Sequence, residues 1–224
     1  MQYYPAYLDL RGRPCIVIGG GEIAARKVAA LLEAGARVTV VSPTLAEELR
    51  GLADTHEIVH HARAYRRGDL DGAWLACAAA GDESQLAAIA VEAEEARVFL
   101  NVVDQPRRCG FIVPAVVRRG PVQVAVSTGG ASPALAKRLA RDLDATLGVE
   151  WGTAARILGA LRTRLGAGDA STRGRIFAAL ADAPLLDALR ARDAARVDAL
   201  LREHAGTRTT LAELGIDLAV GEDR

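Results

Sequence analysis

Residues Pro14–Ala36 read PCIVIGGGEIAARKVAALLEAGA. The run Cys15-Ile16-Val17-Ile18 is apolar and rich in β-branched residues, which suits a buried strand. Three glycines follow, Gly19, Gly20 and Gly21. Apolar positions then recur at helical spacing, at Ile23, Ala24, Val28, Ala29, Leu31 and Leu32. Strand, tight turn and helix follow one another, and Gly19, Gly21 and Ala24 match G-x-G-x-x-G/A, the dinucleotide fingerprint. In that pattern the first glycine allows the turn and the second admits a pyrophosphate to the backbone. The small third residue lets helix and strand pack closely. The helix N-terminus, from Glu22 and Ile23, offers free N–H groups and the positive end of the helix dipole to the phosphates.

The spacing outward supports this reading. A second strand, Arg37–Val41, completes a βαβ unit. Its end carries Ser42, Pro43 and Thr44 where many NAD-type folds place an acid for the ribose. Ser42, Thr44 or backbone groups are left to hold it, and the choice between NAD and NADP stays open. Thr44 also reads as the N-cap of a helix over Leu45–Leu52, with Glu47 completing a capping box. Further strands are expected at Glu57–His60, Ala73–Ala78 and Val98–Val103, with a helix over Ser84–Ala96. Alternation of this kind predicts an α/β fold with a doubly wound, Rossmann-type parallel sheet. His60 and His61 lack companion ligands at metal spacing and read as surface histidines.

The pattern changes after Pro106. Strands are expected over Phe111–Val117 and Val122–Val126, and the second alternates and is expected either to add to the sheet or to pair across a dimer. The turn Ser127–Pro133, STGGASP, ends in an N-cap serine and a proline at N1, ahead of a helix over Ala134–Leu147. Helices are then expected over 151–165, 172–181, 185–190 and 193–204, with a loosely ordered tail after Gly206. The lead-in Tyr3–Leu10 holds Pro5 and reads as an edge strand or an extended arm.

With 224 residues the chain can bury a sizeable core. Formal net charge is zero, which gives no support to nucleic-acid binding. The three cysteines are widely spaced, and no basic, apolar leader or bilayer-length apolar run is present, so a reduced, cytoplasmic protein away from the membrane is expected. Asp104, at a strand end, reads either as a general base or as a cap of the turn before Pro106.

Four segments together resemble the NAD-dependent precorrin-2 dehydrogenase family, including the N-terminal part of siroheme synthase. They are Tyr4-Pro5 with Leu8-Asp9-Leu10, GGGEIAARK at Gly19–Lys27, Asn101-Val102-Val103-Asp104, and STGGASP. The resemblance implies NAD-dependent conversion of precorrin-2 to sirohydrochlorin, with Fe2+ insertion in some members. It implies a homodimer, a Rossmann domain over 1–113, a dimerisation segment over 114–150 and a helical domain over 151–224. It carries NAD binding onto Glu22, Ile23, Pro43 and Thr44, and the catalytic carboxylate onto Asp104. The serine that is phosphorylated in fused relatives aligns with Thr128. A substrate rich in carboxylates would suit Arg107, Arg108, Arg118 and Arg119. Ser127, Thr128, Gly129 and the N–H groups of Ala131–Ala134 would suit one carboxylate arm. No resident metal is expected. The competing reading is a nucleotide-sensing Rossmann module, which would need the glycine turn but not Asp104; a dehydrogenase of small alcohols would need a catalytic set that is not visible.

Overall fold

A computed structural model of the chain describes residues 3–167 and 169–218. The chain divides between Val113 and Pro114 into two compact units. In the first, β1 (Pro14–Ile18), β2 (Arg37–Val41), β3 (Ile58–His61), β4 (Leu75–Ala78) and β5 (Phe99–Val102) form a parallel sheet in the order β3-β2-β1-β4-β5. β1 and β4 lie inside the sheet and are buried along nearly their whole length, which is why they read as unbroken apolar runs.

The helices α1 (Glu22–Glu33) and α2 (Glu47–Asp54) share one core with Cys15, Val17, Val38, Val40 and Cys77. Helix α3 (Glu83–Ala96) shares the other with Ile16, Ile18, Ala76, Ala78, Leu100 and Val102. The sheet is thus covered on both faces, as the alternation of strands and helices predicts. The order 3-2-1-4-5 puts the topological switch point between β1 and β4, with the ligand crevice beyond the carboxyl ends of the strands.

Several expectations are corrected. Helix α2 begins at Glu47 with Ala46 at its N-cap and no side-chain cap, so Thr44 does not close a capping box. Ala73 and Trp74 precede β4, with Trp74 N–H donating to Pro14 O at 2.9 Å, and Arg13 stacks over the half-exposed Trp74 ring at 3.8 Å. Residues 111–114 form no strand. Instead Gly110 and Phe111 donate their N–H groups to Leu100 O (2.8 and 3.4 Å), so this stretch runs beside β5. Residues 3–10 form no strand, so they are not an edge strand of the sheet.

In the second unit, β6 (Ala115–Arg119) and β7 (Val122–Val126) pair antiparallel as a separate two-stranded sheet, so they do not extend the first. Helix α4 (Pro133–Thr146) packs Ala136 and Ala140 against Val117 and Val126. Helices α5 (Glu150–Leu165), α6 (Ala170–Leu180), α7 (Ala183–Arg190) and α8 (Ala194–Ala205) surround a second core that includes Ile157, Leu161, Leu180, Leu185 and Leu201. A Cβ on Gly152 of α5 would lie 2.6 Å from Arg119 O, so glycine is what lets α5 approach the hairpin. The stretch after Gly206 is not loose as far as Leu218: Leu211 is buried in the helical core and Asp198 Oδ1 accepts from its N–H at 2.7 Å. The rest of the tail lies outside the described residues.

Candidate active site

The three glycines after β1 have three different duties. Gly19 takes φ +117°, and a Cβ there would meet the Ala80 Cβ at 2.9 Å. A Cβ on Gly20 would fall 1.9 Å from Thr44 O and 2.7 Å from Ser42 Oγ, so only glycine lets the turns after β1 and β2 close on each other. Ala46 N donates to Gly20 O at 2.7 Å and seals that contact. Gly21 is different. Its φ of −88° suits any residue, and a Cβ there would meet no protein atom within 4 Å. Among the described residues nothing fills the space next to Gly21.

Gly21 is the N-cap of α1 and supplies no side-chain cap. The N–H groups of Glu22, Ile23 and Ala24 have no partner among the described residues; the first internal bond of the helix is Ala25 N to Gly21 O, 3.0 Å. Free donors, an open cradle and the positive helix end fit the pyrophosphate of a dinucleotide. Ala24 is buried against the sheet, as the fingerprint requires of its third small residue.

The turn after β2 is rigid. Ser42 is buried, its Oγ donates to Thr44 O at 2.7 Å, and its carbonyl accepts from His60 Nε2 at 2.9 Å. A carbonyl partner fixes the proton on Nε2 of His60. Pro43 and Thr44 are exposed at the end of β2, and the Thr44 hydroxyl has no partner among the described residues. Ser42 thus shapes the turn, while Pro43 and Thr44 present the surface. Among the described residues no group of three metal-type side chains occurs, so His60 and His61 assemble no such cluster.

Asp104 follows β5 at the same edge of the sheet. Two strand spacings separate β5 from β1, roughly 10 Å. Asp104 is exposed, takes φ +58°, and has no hydrogen-bond or ion-pair partner among the described residues. Its side chain therefore does not cap the turn. The left-handed conformation is tolerated by Asp at some cost. Arg107 is exposed and likewise unpaired among the described residues, whereas Arg108 forms an ion pair with Glu83 at the start of α3. Gln105 Nε2 donates to the other oxygen of Glu83 at 3.3 Å.

Other expected contacts fall on the second unit. Ser127, Thr128 and Gly129 lie between β7 and α4. Thr128 Oγ1 donates to Ser132 O (3.0 Å) and accepts from Ser132 N (2.9 Å), and Ser127 Oγ accepts from Gly129 N (3.0 Å). Ala131 N donates to Thr128 O, and Ser132 Oγ accepts from Leu135 N at 3.2 Å. Of the N–H groups of 131–134, only that of Ala134 is left without a partner among the described residues, which corrects the expectation of an open anion site there. Arg119 is structural: its guanidinium donates to Leu147 O (2.7 Å), Asp144 O (2.6 Å) and Asp144 Oδ1 (2.7 Å). Arg118 also has a polar or electrostatic partner.

One feature near the site escapes the sequence reading. Lys27 Nζ donates to Asn101 Oδ1 at 3.1 Å. Its signals were a lysine on the buried stripe of α1, between Ala24 and Leu31, and an asparagine inside an apolar strand.

Comparison with known proteins agrees with this geometry. A family model described as putative NAD(P)-binding matches residues 6–115, and one described as sirohaem biosynthesis protein central matches residues 119–145. The siroheme synthase of Thioalkalivibrio sulfidiphilus is 39% identical over 189 residues, covering 84% of this chain and 39% of that protein. Siroheme synthase 1 of Aeromonas salmonicida is 42% identical over 171 residues, or 76% of this chain and 36% of the relative. The chain thus spans about two fifths of the length of these curated relatives. A solved structure of SirC, precorrin-2 dehydrogenase, shares the fold with a TM-score of 0.73 over 91% of this chain and 99% of that one, at 23% identity. The chain therefore belongs to the family of the N-terminal part of siroheme synthase, and its first unit is that family's NAD(P)-binding domain.

Proposed function

We propose that this protein dehydrogenates precorrin-2 to sirohydrochlorin, with NAD+ as the hydride acceptor. The observation that carries the reading is the carboxylate of Asp104, exposed and unpaired among the described residues at the same sheet edge as the free N-terminus of α1. Gly19–Ile23 would hold the pyrophosphate, and Ser42, Pro43 and Thr44 the adenosine side. The bound nicotinamide supplies a hydride acceptor. Asp104 is the proton acceptor: one C–H hydrogen leaves the tetrapyrrole as hydride, and a second hydrogen leaves as a proton to the Asp104 carboxylate. NAD+ rather than NADP+ is favoured because Arg50, in the helix after β2, and Arg63, after β3, are occupied. Arg50 Nη2 bonds Leu45 O (3.1 Å) and Arg63 grips Asp69, so neither is free for a 2′-phosphate.

In the first unit Arg107 is the candidate contact for a carboxylate arm of the substrate, with Arg108 shaping its turn; in the second, taken by itself, the Ser127 hydroxyl is the candidate, with Thr128 and Gly129 shaping its turn. Fe2+ insertion into sirohydrochlorin belongs to the same reading, with the pyrrole nitrogens as ligands. In this reading 1–113 binds the cofactor, 114–150 pairs two copies and 151–224 is a helical domain. The homodimer is supported by Leu135 and Leu139, one turn apart on α4 and 58% and 47% exposed.

An anaerobic assay of purified protein with precorrin-2 and NAD+, followed by the tetrapyrrole spectrum, tests the proposal. Sirohydrochlorin should form only with NAD+ present, and Asp104→Asn should slow it by about 10²–10⁴-fold. NAD+ binding without any spectral change would replace the enzyme by a nucleotide sensor. Adding Fe2+ afterwards reads the chelation step, and the mass in solution reads the dimer.

A further inference from the structure

Lys27 and Asn101 are both polar where apolar side chains would pack. Lys27 sits on the α1 stripe formed by Ala24, Val28 and Leu31, half-buried. Asn101 is buried and ends a row across the sheet, His60, Val40, Val17, Cys77 and Asn101, whose three inner members are apolar. Lys27 Nζ has a single neutral partner among the described residues, Asn101 Oδ1 at 3.1 Å. A half-buried ammonium that meets one amide oxygen gains less than a methionine or leucine would gain by packing there. Stability therefore does not explain the pair, and its connections do.

Asn101 Nδ2 donates onward to Phe111 O at 3.2 Å and contacts Cys109 Sγ at 3.6 Å. Cys109 Sγ accepts from Val102 N at 3.2 Å, with Val102 O and Gln105 O at 3.3 and 3.4 Å as acceptors for its hydrogen. These contacts bracket Asp104: Val102 precedes it, Gln105 follows it, and Cys109 and Phe111 fix the far end of its loop. The other end of the chain of contacts is α1, whose first residues, Glu22 and Ile23, present the free donors to the cofactor. Lys27 lies five residues further along the same rigid helix, roughly 7 Å.

We infer that Lys27 and Asn101, with Cys109, are positioning residues that couple occupancy of the dinucleotide site on α1 to the placement of Asp104. The inference rests on the reading of Asp104 as proton acceptor. It assigns a task to Lys27 and to Asn101 that neither cofactor binding nor proton transfer by itself explains.

The test uses the full chain and two readouts. In the first, amide hydrogen exchange at Gln105 and Gly110 is followed without and with NAD+. NAD+ should slow both in the wild type and in Lys27→Arg, and leave both unchanged in Lys27→Met. In the second, Lys27→Met should lower kcat for precorrin-2 by roughly 10- to 100-fold, the effect of a misplaced catalytic group, while the Kd for NAD+ stays within about twofold. Lys27→Arg should recover most of the rate. In an Asp104→Asn background Lys27→Met should cost nothing further. If Lys27→Met does not fold, Cys109→Ala breaks the far end of the linkage and should give the same pattern. An exchange response that survives in Lys27→Met, or a rate loss that adds in full to that of Asp104→Asn, would overturn the inference. Full turnover by Asp104→Asn would instead sink the role of Asp104, and the exchange readout would still decide whether α1 and the loop are linked.

Discussion

The molecule holds two junctions of the same outline, a strand, a glycine turn and a helix. One joins β1 to α1 through Gly19–Gly21; the other joins β7 to α4 through Ser127–Ser132. Their chemistry is opposite. At α4 the turn is bonded to itself: Thr128 holds Ser132, Ser132 caps Leu135, and Pro133 at N1 removes a donor that would otherwise need a partner. At α1 there is no cap, and three successive N–H groups face an open space that even a methyl group on Gly21 would begin to fill. Helix ends left bare in this way are stabilised by an anion brought from outside. Glycine content alone does not separate the two; the presence or absence of a hydroxyl that caps the helix does.

That contrast can be broken in several places. The largest effect is expected from Gly20→Ala, whose new methyl group would overlap Thr44 O: the turns after β1 and β2 must part, at about 3 kcal/mol of stability, read by denaturant unfolding. Gly21→Ala should cost only a few tenths of a kcal/mol in stability, as an N-cap change, yet weaken NAD+ at least tenfold, about 1.4 kcal/mol by calorimetry. Equal losses in both measurements would mean that the space before Gly21 is not a ligand cradle. Ser132→Ala should show the reverse pattern, about 1 kcal/mol of stability and no change in NAD+ affinity.

Acid offers a smaller, graded comparison among helix ends. Hydrogen bonds from Ser84 and Gln85 to Asp82 hold its carboxyl below the ordinary range, and bonds from Thr172 do the same for Asp169. Carboxyls depressed in the folded state stabilise it above the unfolded value near 3.9 and lose that effect as pH falls through the folded one. The amides of Gln85 and Thr172 should therefore lose exchange protection below about pH 4, whereas Leu135, capped by a hydroxyl, should not respond. A parallel loss at Leu135 would show general unfolding instead of cap titration.

What the sequence made legible was local or periodic. The runs at 15–18 and 38–41 could only be buried strands, and the glycine turn at 19–21 could be placed between strand and helix by spacing alone. Asp104 was reachable because it ends a strand. What stayed hidden depends on partners distant along the chain. Lys27 meets Asn101, Arg108 meets Glu83, and Arg119 meets Asp144 and Leu147; each pairing converts a residue that looked free into one that is committed. The missed cap at Thr44 has a similar cause. Gly20 presses on that turn, Ala46 is drawn to Gly20 O, and the helix starts later than its capping pattern suggests.

The return of the chain past β5 has a consequence of another kind. Parallel sheets end in strands whose outer backbone groups invite further pairing, a common origin of aggregation. Here Leu100 O, on the outermost strand, already accepts from Gly110 and Phe111, and Cys109 engages Val102. The opposite border, β3, is four residues long and finishes in two histidines. A border occupied by the chain itself and one too short and polar to template a neighbour leave this sheet little opportunity to grow by adding strands.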